Sequence, residues 1–298
     1  MLVTGKNGQL ATSLAEIADG VPELTLITAG RPEFDLLDPS TVRRTIAATK
    51  PDIVVSAAAY TAVDRAEDER DLAYRTNVVG AASVAEAAAQ LRVPIIHVST
   101  DYVFSGDAPA PYLEDDEAEP RTVYGYTKLR GEHAVASANP RHVILRTSWV
   151  YSPFGTNFVR TMLRLATERR TINVVADQWG NPTSALDLAR AIVHVATHPS
   201  RDSYGVFHLT GTGETNWSGF ARHIFQVSAA AGGPTAEVLD IASTDYRTKA
   251  KRPKNSRLSC DKFERTFGWR APAWQASTEA IVRRIVEAEY PRVHGVGV

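Results

Sequence analysis

Leu2-Val-Thr-Gly5-Lys-Asn-Gly8-Gln-Leu-Ala11 reads as a short apolar strand, a glycine turn and the start of a helix reaching about Ala18. Glycines directly after a strand allow a tight turn and let the backbone approach a pyrophosphate seated at a helix N-terminus. Ala11, in the third small position, still permits close helix–strand packing. Alone the spacing is weak, since an ordinary strand–helix turn accounts for such glycines about half the time. Its context decides the reading.

That context is an alternation of strands and helices. Leu24–Thr28, Ile53–Ala58, Pro94–Ser99 and His142–Thr147 read as strands. Between them Pro39–Thr49, Leu72–Gln90 and a segment carrying Tyr124 read as helices. Continuous apolar strands alternating with helices imply a parallel sheet covered on both faces. The expected fold class is therefore α/β: a Rossmann-like, doubly wound parallel sheet over residues 1–148, then a smaller α/β substrate domain over most of 149–298. In the second part Asn157–Arg169 and Ala185–Thr197 read as helices and Val206–Thr210 as a strand. A loop region with Pro234 and the basic patch Lys249–Lys254 follows, then a last helix from about Ser277 to Tyr290. Residues 184–210 are expected to return to the first domain.

The 298 residues carry 33 basic and 34 acidic side chains. No basic excess calls for nucleic acid or an anionic membrane, which leaves a small molecule as the expected ligand. A lone Cys260 rules out an internal disulfide and suits a reducing, cytoplasmic setting. The first residues lack the basic and apolar regions of a signal peptide. The longest apolar run, Ile53–Ala59, is strand-sized, so no membrane span is expected.

Around the glycine turn, Gly5, Asn7, Gly8, Gln9 and Leu10 are the expected cofactor contacts. The second strand runs on into Ala29-Gly-Arg31, with no carboxylate before Glu33. A carboxylate there would hold a ribose 2′-hydroxyl, whereas a guanidinium pairs with a 2′-phosphate. Arg31 thus points to NADPH, with NADH also accepted, and Asp35 and Leu36 are placed against the adenine. Ala57-Ala58-Ala59-Tyr60-Thr61 ends the third strand with small side chains that let a cofactor pass. Ser99 and Thr100 end another strand, and Tyr124 and Lys128 stand one helical turn apart on one face. A nearby ammonium lowers a phenol pKa that is otherwise about 10, and a Thr100 hydroxyl can steady developing charge on a carbonyl oxygen. Tyr126 points to another face of the same helix. Strand–Thr100–helix–Tyr124–Lys128 is the order of a carbonyl-reduction site.

Gly5-x-x-Gly8-x-x-Ala11, Ala57–Thr61, Ser99-Thr-Asp-Tyr-Val-Phe104, Tyr124-x-x-x-Lys128 and Arg146-Thr-Ser-Trp-Val-Tyr151 resemble the extended short-chain dehydrogenase/reductases. Asp177-Gln-Trp-Gly-Asn-Pro-Thr183 and Arg252-Pro-Lys-Asn-Ser-Arg-Leu258 extend the resemblance, specifically to dTDP-4-dehydrorhamnose reductases, over almost the whole chain. The resemblance implies hydride transfer from a nicotinamide to C4 of a dTDP-4-keto-6-deoxyhexose, in dTDP-rhamnose biosynthesis for cell-wall polysaccharide. It makes Tyr124 the proton donor, Lys128 the holder of the nicotinamide ribose and Thr100 the group that orients the carbonyl. It assigns Asp101, Tyr102 and Trp149 to the sugar, and Asn157, Arg252 and Asn255 to the nucleotide and its diphosphate.

Some relatives form a metal-bridged dimer through carboxylates at positions that correspond here to Ser13, Leu186 and Arg190. Hard cations need oxygen ligands, so the expectation is no metal, and a monomer or a dimer built without one. A dehydratase or epimerase of this fold would need a second carboxylate where Tyr102 follows Asp101. A reductase of different C4 stereochemistry stays open, and a non-catalytic NADP-binding regulatory subunit is disfavoured by the intact Thr100, Tyr124 and Lys128.

Overall fold

A computed structural model of the chain describes residues 1–198 and 203–290. Residues 199–202 and 291–298 of the expected second domain lie outside the described residues. The first half comprises β1 (Leu2–Thr4), α1 (Gln9–Ala18), β2 (Ile27–Ala29), α2 (Pro39–Thr49), β3 (Val54–Ser56), α3 (Val63–Ala66), α4 (Arg70–Tyr74), α5 (Ala81–Gln90), β4 (Ile95–Thr100), α6 (Val123–Ala138) and β5 (His142–Thr147). The second comprises β6 (Val150–Tyr151), α7 (Phe158–Glu168), β7 (Thr171–Val175), β8 (Trp179–Gly180), β9 (Thr183–Ser184), α8 (Ala185–Thr197), β10 (Gly205–His208), β11 (Thr215–Asn216), α9 (Trp217–Ala231), β12 (Glu237–Ile241), α10 (Asp261–Phe267) and α11 (Trp274–Glu289).

Six strands form one sheet in the order β10-β5-β4-β3-β1-β2, and every pairing in it is parallel. Its central strands are buried because helices cover both faces. Leu10, Leu14, Leu188, Ile192 and Phe207 pack on one side, and Val42, Ile46, Val84 and Ala88 on the other. A third core, around Tyr151, Leu163, Phe220, Ile281 and Val282, belongs to the second half. β2 and β3 flank β1 on opposite sides, which opens a crevice at the carboxyl ends of β1 and β3, where sheets of this kind bind ligands.

Three sequence expectations need correction. The second strand starts at Ile27 rather than Leu24, because β1 offers only three residues for it to pair with. The helix expected over Leu72–Gln90 is three pieces, with a wide π turn over Arg75–Gly80 between α4 and α5. The stretch after Thr210 is not mainly loop: α9 fills much of it, capped by Asn216 Oδ1, which accepts from Gly219 N at 2.7 Å. Its buried Phe220, Ile224 and Val227 recur at helical spacing. Parallel β7 and β12 add a small second sheet. Among the described residues no helix is long and apolar enough to cross a membrane.

Candidate active site

The glycine turn closes on itself: Gly5 N donates to Ala29 O at 2.8 Å and Gly8 N to Gly5 O at 2.9 Å. Gly5 has φ +97°, and a β-carbon on it would stand 3.4 Å from Ala58. Only glycine takes that backbone without strain. No side chain caps the N-terminus of α1, so its first N–H groups are open to an anion. Thr4 Oγ1 accepts from Ala57 N and Ala58 N at 3.1 and 3.0 Å, which fixes the neighbouring strand end. Tyr60 is held twice by Asn77, whose Oδ1 accepts from Tyr60 N at 2.8 Å and whose Nδ2 donates to Tyr60 O at 3.1 Å. The same Nδ2 donates to Thr127 Oγ1 on α6 at 3.0 Å. Asn77 lies in the π turn, so the extra residue in that turn places a buried amide between the crevice loop and α6. Thr61 and Asn7 are exposed beside this crevice, with Leu10 buried behind it.

Arg31 is exposed just past β2. Asp35 Oδ1 accepts from Leu37 N at 3.0 Å, and Leu36 is buried in the core. Gln9 Oε1 accepts from Ser152 Oγ at 2.8 Å and Asn157 Nδ2 at 3.0 Å, joining the turn to the second half of the chain.

β4 ends at Thr100, which faces α6. Thr100 Oγ1 donates to Asp101 Oδ1 at 2.9 Å and accepts from Tyr102 N at 3.2 Å. α6 starts with the Thr122 hydroxyl accepting from Gly125 N at 3.0 Å. A β-carbon at Gly125 would stand 2.0 Å from the Tyr102 carbonyl oxygen, so glycine lets α6 close on the Asp101–Val103 turn. That places the Tyr124 and Tyr102 rings edge to face at 5.6 Å. Tyr126 is half exposed on the outer face.

Lys128 is buried, with Nζ donating to Val98 O at 2.7 Å and standing 3.4 Å from His97 Nε2. Burial lowers its ammonium to about 8, against the opposing charge of Glu132. Glu132 is one turn further along α6 and forms a buried pair with Arg146 on β5, Oε2 to Nη2 at 2.8 Å. Ser99 Oγ donates to Glu132 Oε1 at 2.5 Å, so its side chain serves this pair. The expectation that Lys128 lowers the Tyr124 phenol is overturned. Burial pushes Tyr124 up, the Thr100 hydroxyl opposes the rise, and Asp101 adds to it. The ammonium is drawn instead to the carbonyl end of β4.

Asp101 is buried and its Oδ2 has no hydrogen-bond partner among the described residues. Burial raises its carboxyl to about 6, with Ser256 and Thr100 hydroxyls opposing. Arg252 reaches across the same opening: Nη2 donates to Asp64 Oδ2 at 2.8 Å and Nη1 to the Tyr102 hydroxyl at 3.4 Å. Trp149, half buried, stacks on Trp217 with ring centroids 3.6 Å apart.

Two expected nucleotide contacts are committed elsewhere. Asn157 caps α7 by accepting from Arg160 N, and its Nδ2 donates to Gln9, Ser152 and Phe154. Asn255 Nδ2 donates to Ala108 O and Ala110 O, and its Oδ1 accepts from Arg257. Sequence reading missed Asn77, Glu132 and Arg146. A charge inside the apolar strand His142–Thr147 and a carboxylate four residues beyond Lys128 were the available signals.

The family described as the RmlD substrate binding domain matches residues 1–287. A dTDP-4-dehydrorhamnose reductase of Sinorhizobium fredii is 53% identical over 286 residues, covering 95% of this chain and 96% of that protein. The reductase of the same name from Escherichia coli is 39% identical, covering 96% and 97%. A crystal structure of the Bacillus anthracis dTDP-4-dehydrorhamnose reductase in complex with NADP is 36% identical, with a TM-score of 0.88 over 94% of this chain and 97% of that one. Matched from end to end in sequence and architecture, the chain belongs to the dTDP-4-dehydrorhamnose reductase family.

Proposed function

We propose that this protein reduces the C4 carbonyl of dTDP-4-dehydro-L-rhamnose to dTDP-L-rhamnose with NADPH. The observation that carries the reading is that the Thr100 hydroxyl at the end of β4 hydrogen-bonds Tyr124, with Lys128 one turn further along α6 and bonded to β4, in the same parallel sheet whose β1 runs into the glycine turn. The crevice fits a dinucleotide: open N–H groups at α1, close backbone at Gly5 and Ala58, and an exposed guanidinium at Arg31. When bound, the dihydronicotinamide supplies the hydride. Gly5, Gly8 and the first turn of α1 would hold the pyrophosphate, Arg31 the 2′-phosphate, and Lys128 the nicotinamide ribose.

The chain's own residues do the rest. Thr100 orients the C4 carbonyl by hydrogen bonding to its oxygen. Tyr124, held protonated by its buried setting, gives its proton to that oxygen as charge develops there. Asp101 and Trp149 face the sugar, and Arg252 exchanges its carboxylate partner for the diphosphate. Residues 1–148 with the return over 184–210 form the cofactor part, and most of 149–298 the nucleotide-sugar part. A cytoplasmic setting accords with the single cysteine. Incubation with NADPH and the 4-keto sugar nucleotide, followed by absorbance and by NMR of the product, tests the reading. Consumption of NADPH with L-rhamno configuration at C4 supports it. No turnover defeats it, and a different C4 configuration defeats the substrate assignment.

A further inference from the structure

Asp177-Gln-Trp-Gly-Asn-Pro-Thr183 supplies none of the reacting groups, yet two tryptophans hang from it. Trp149 O accepts from Thr183 N at 3.2 Å, and Ser148 Oγ donates to Asn181 O at 2.9 Å. On the other side β11 pairs antiparallel with β8, opposing Asn216 to Trp179 and Thr215 to Gly180. Asn216 Nδ2 also donates to Ala176 O at 2.9 Å. Trp217 opens α9 directly after this anchor.

The segment thereby brings the two indoles together, with planes 11° apart. Behind Trp217 the Phe158 ring lies 4.6 Å away. Trp149 has φ +49°, a left-handed backbone that a bulky residue adopts only when its surroundings enforce it. A β-carbon at Gly180 would stand 2.5 Å from Trp149 Cε2 and 2.8 Å from its Nε1. The ring is therefore confined by a stacked indole and by a backbone that only glycine can present so closely.

We infer that Trp217 is a positioning residue for the sugar site: with Gly180 it fixes the Trp149 indole as the wall against which the deoxysugar is held. This rests on the reading of Trp149 as a sugar contact. The face of Trp149 stacked on Trp217 is closed to ligand, so the sugar meets the other face or the Nε1 edge. Trp217 acts only through that ring, and its influence falls on the sugar and not on the nucleotide.

The test compares Trp217→Ala, Gly180→Ala and Trp149→Ala with the parent protein. It measures circular dichroism for the exciton couplet of the stacked indoles, and calorimetric affinity for dTDP-L-rhamnose, dTDP and NADPH. Trp217→Ala should abolish the couplet and weaken dTDP-L-rhamnose about 2- to 12-fold, the range that stacking energies convert to. Affinities for dTDP and NADPH should be unchanged. Gly180→Ala should weaken the sugar nucleotide in the same way with both indoles present, which keeps the inference testable if Trp217→Ala does not fold. Loss of the couplet with undiminished dTDP-L-rhamnose affinity would overturn the inference, as would equal weakening of dTDP. If Trp149→Ala itself leaves dTDP-L-rhamnose affinity intact, the sugar-contact reading fails instead.

Discussion

Burial acts on Tyr124 and Lys128 in opposite senses, raising the phenol and lowering the ammonium to about 8. A high phenol pKa keeps the proton on the donor throughout the physiological range. Replacing Tyr124 with Phe removes it and should slow reduction about 10²- to 10⁴-fold, with NADPH affinity retained; single-turnover rates and a binding titration check this. The ammonium titrates within reach of experiment. Lys128 is charged below about 8 and loses its charge as pH rises through that value, so the reduction rate should fall there. Glu132 is what raises the Lys128 pKa against burial. Glu132→Gln should thus move the alkaline limb of the kcat profile to lower pH. It also leaves Arg146 buried without its partner, a change that typically costs about 3–5 kcal/mol, so the melting temperature should drop as well. A limb that stays in place would show that another group sets it.

At the scale of elements, the π turn over Arg75–Gly80 is the device that joins the crevice to α6. Asn77→Ala strips the half-buried Tyr60 N of its acceptor and removes the buried donor to Thr127 Oγ1, a loss of up to about 1–3 kcal/mol. The variant should melt earlier and show a raised KM for NADPH with the sugar-nucleotide KM near the parent value. Steady-state kinetics with each substrate varied would decide it. The turn was invisible in the sequence because alanine-rich Leu72–Gln90 satisfies any helical spacing. By contrast α2, β5 and α8 were legible to the residue, since Pro39, the run His142–Thr147 and the apolar stripe of Ala185–Thr197 are local signals. The ends of β1 and β4 beside Gly5 and at Thr100 were legible for the same reason, whereas β3 stops at Ser56, two residues short of the expected Ala58. What escaped depends on partners distant in the chain: β7 with β12, Glu132 with Arg146, and the commitment of Asn157 to Gln9. The direction of the Tyr124 shift escaped too, because sequence spacing reports which groups are near but not how much water they lose.

Across the whole molecule, the three positions at which the resemblance would lead one to look for metal-bridging carboxylates are otherwise engaged. Ser13 Oγ donates to Gln9 O, Leu186 is apolar and buried, and Arg190 pairs with Asp187 at 2.6 Å. Hard cations take oxygen ligands, so activity should survive exhaustive EDTA treatment, and the molecular mass by light scattering should not change with chelation. Loss of rate restored by Mg²⁺ would contradict this.

The sixth strand of the main sheet arrives late. β10 pairs with β5 in parallel, Gly205 opposite Val143 and His208 opposite Arg146, while α8 seals the face above α1. On a ribosome the chain emerges in order, and domains generally complete as units during synthesis. Through the whole interval between the emergence of β5 and that of β10, the edge of β5 carries unpaired backbone groups beside an uncovered apolar face, the kind of surface that invites pairing with a neighbouring chain. The nascent protein therefore spends the synthesis of β6 to β9 with its cofactor half unfinished and one strand edge still waiting for its partner.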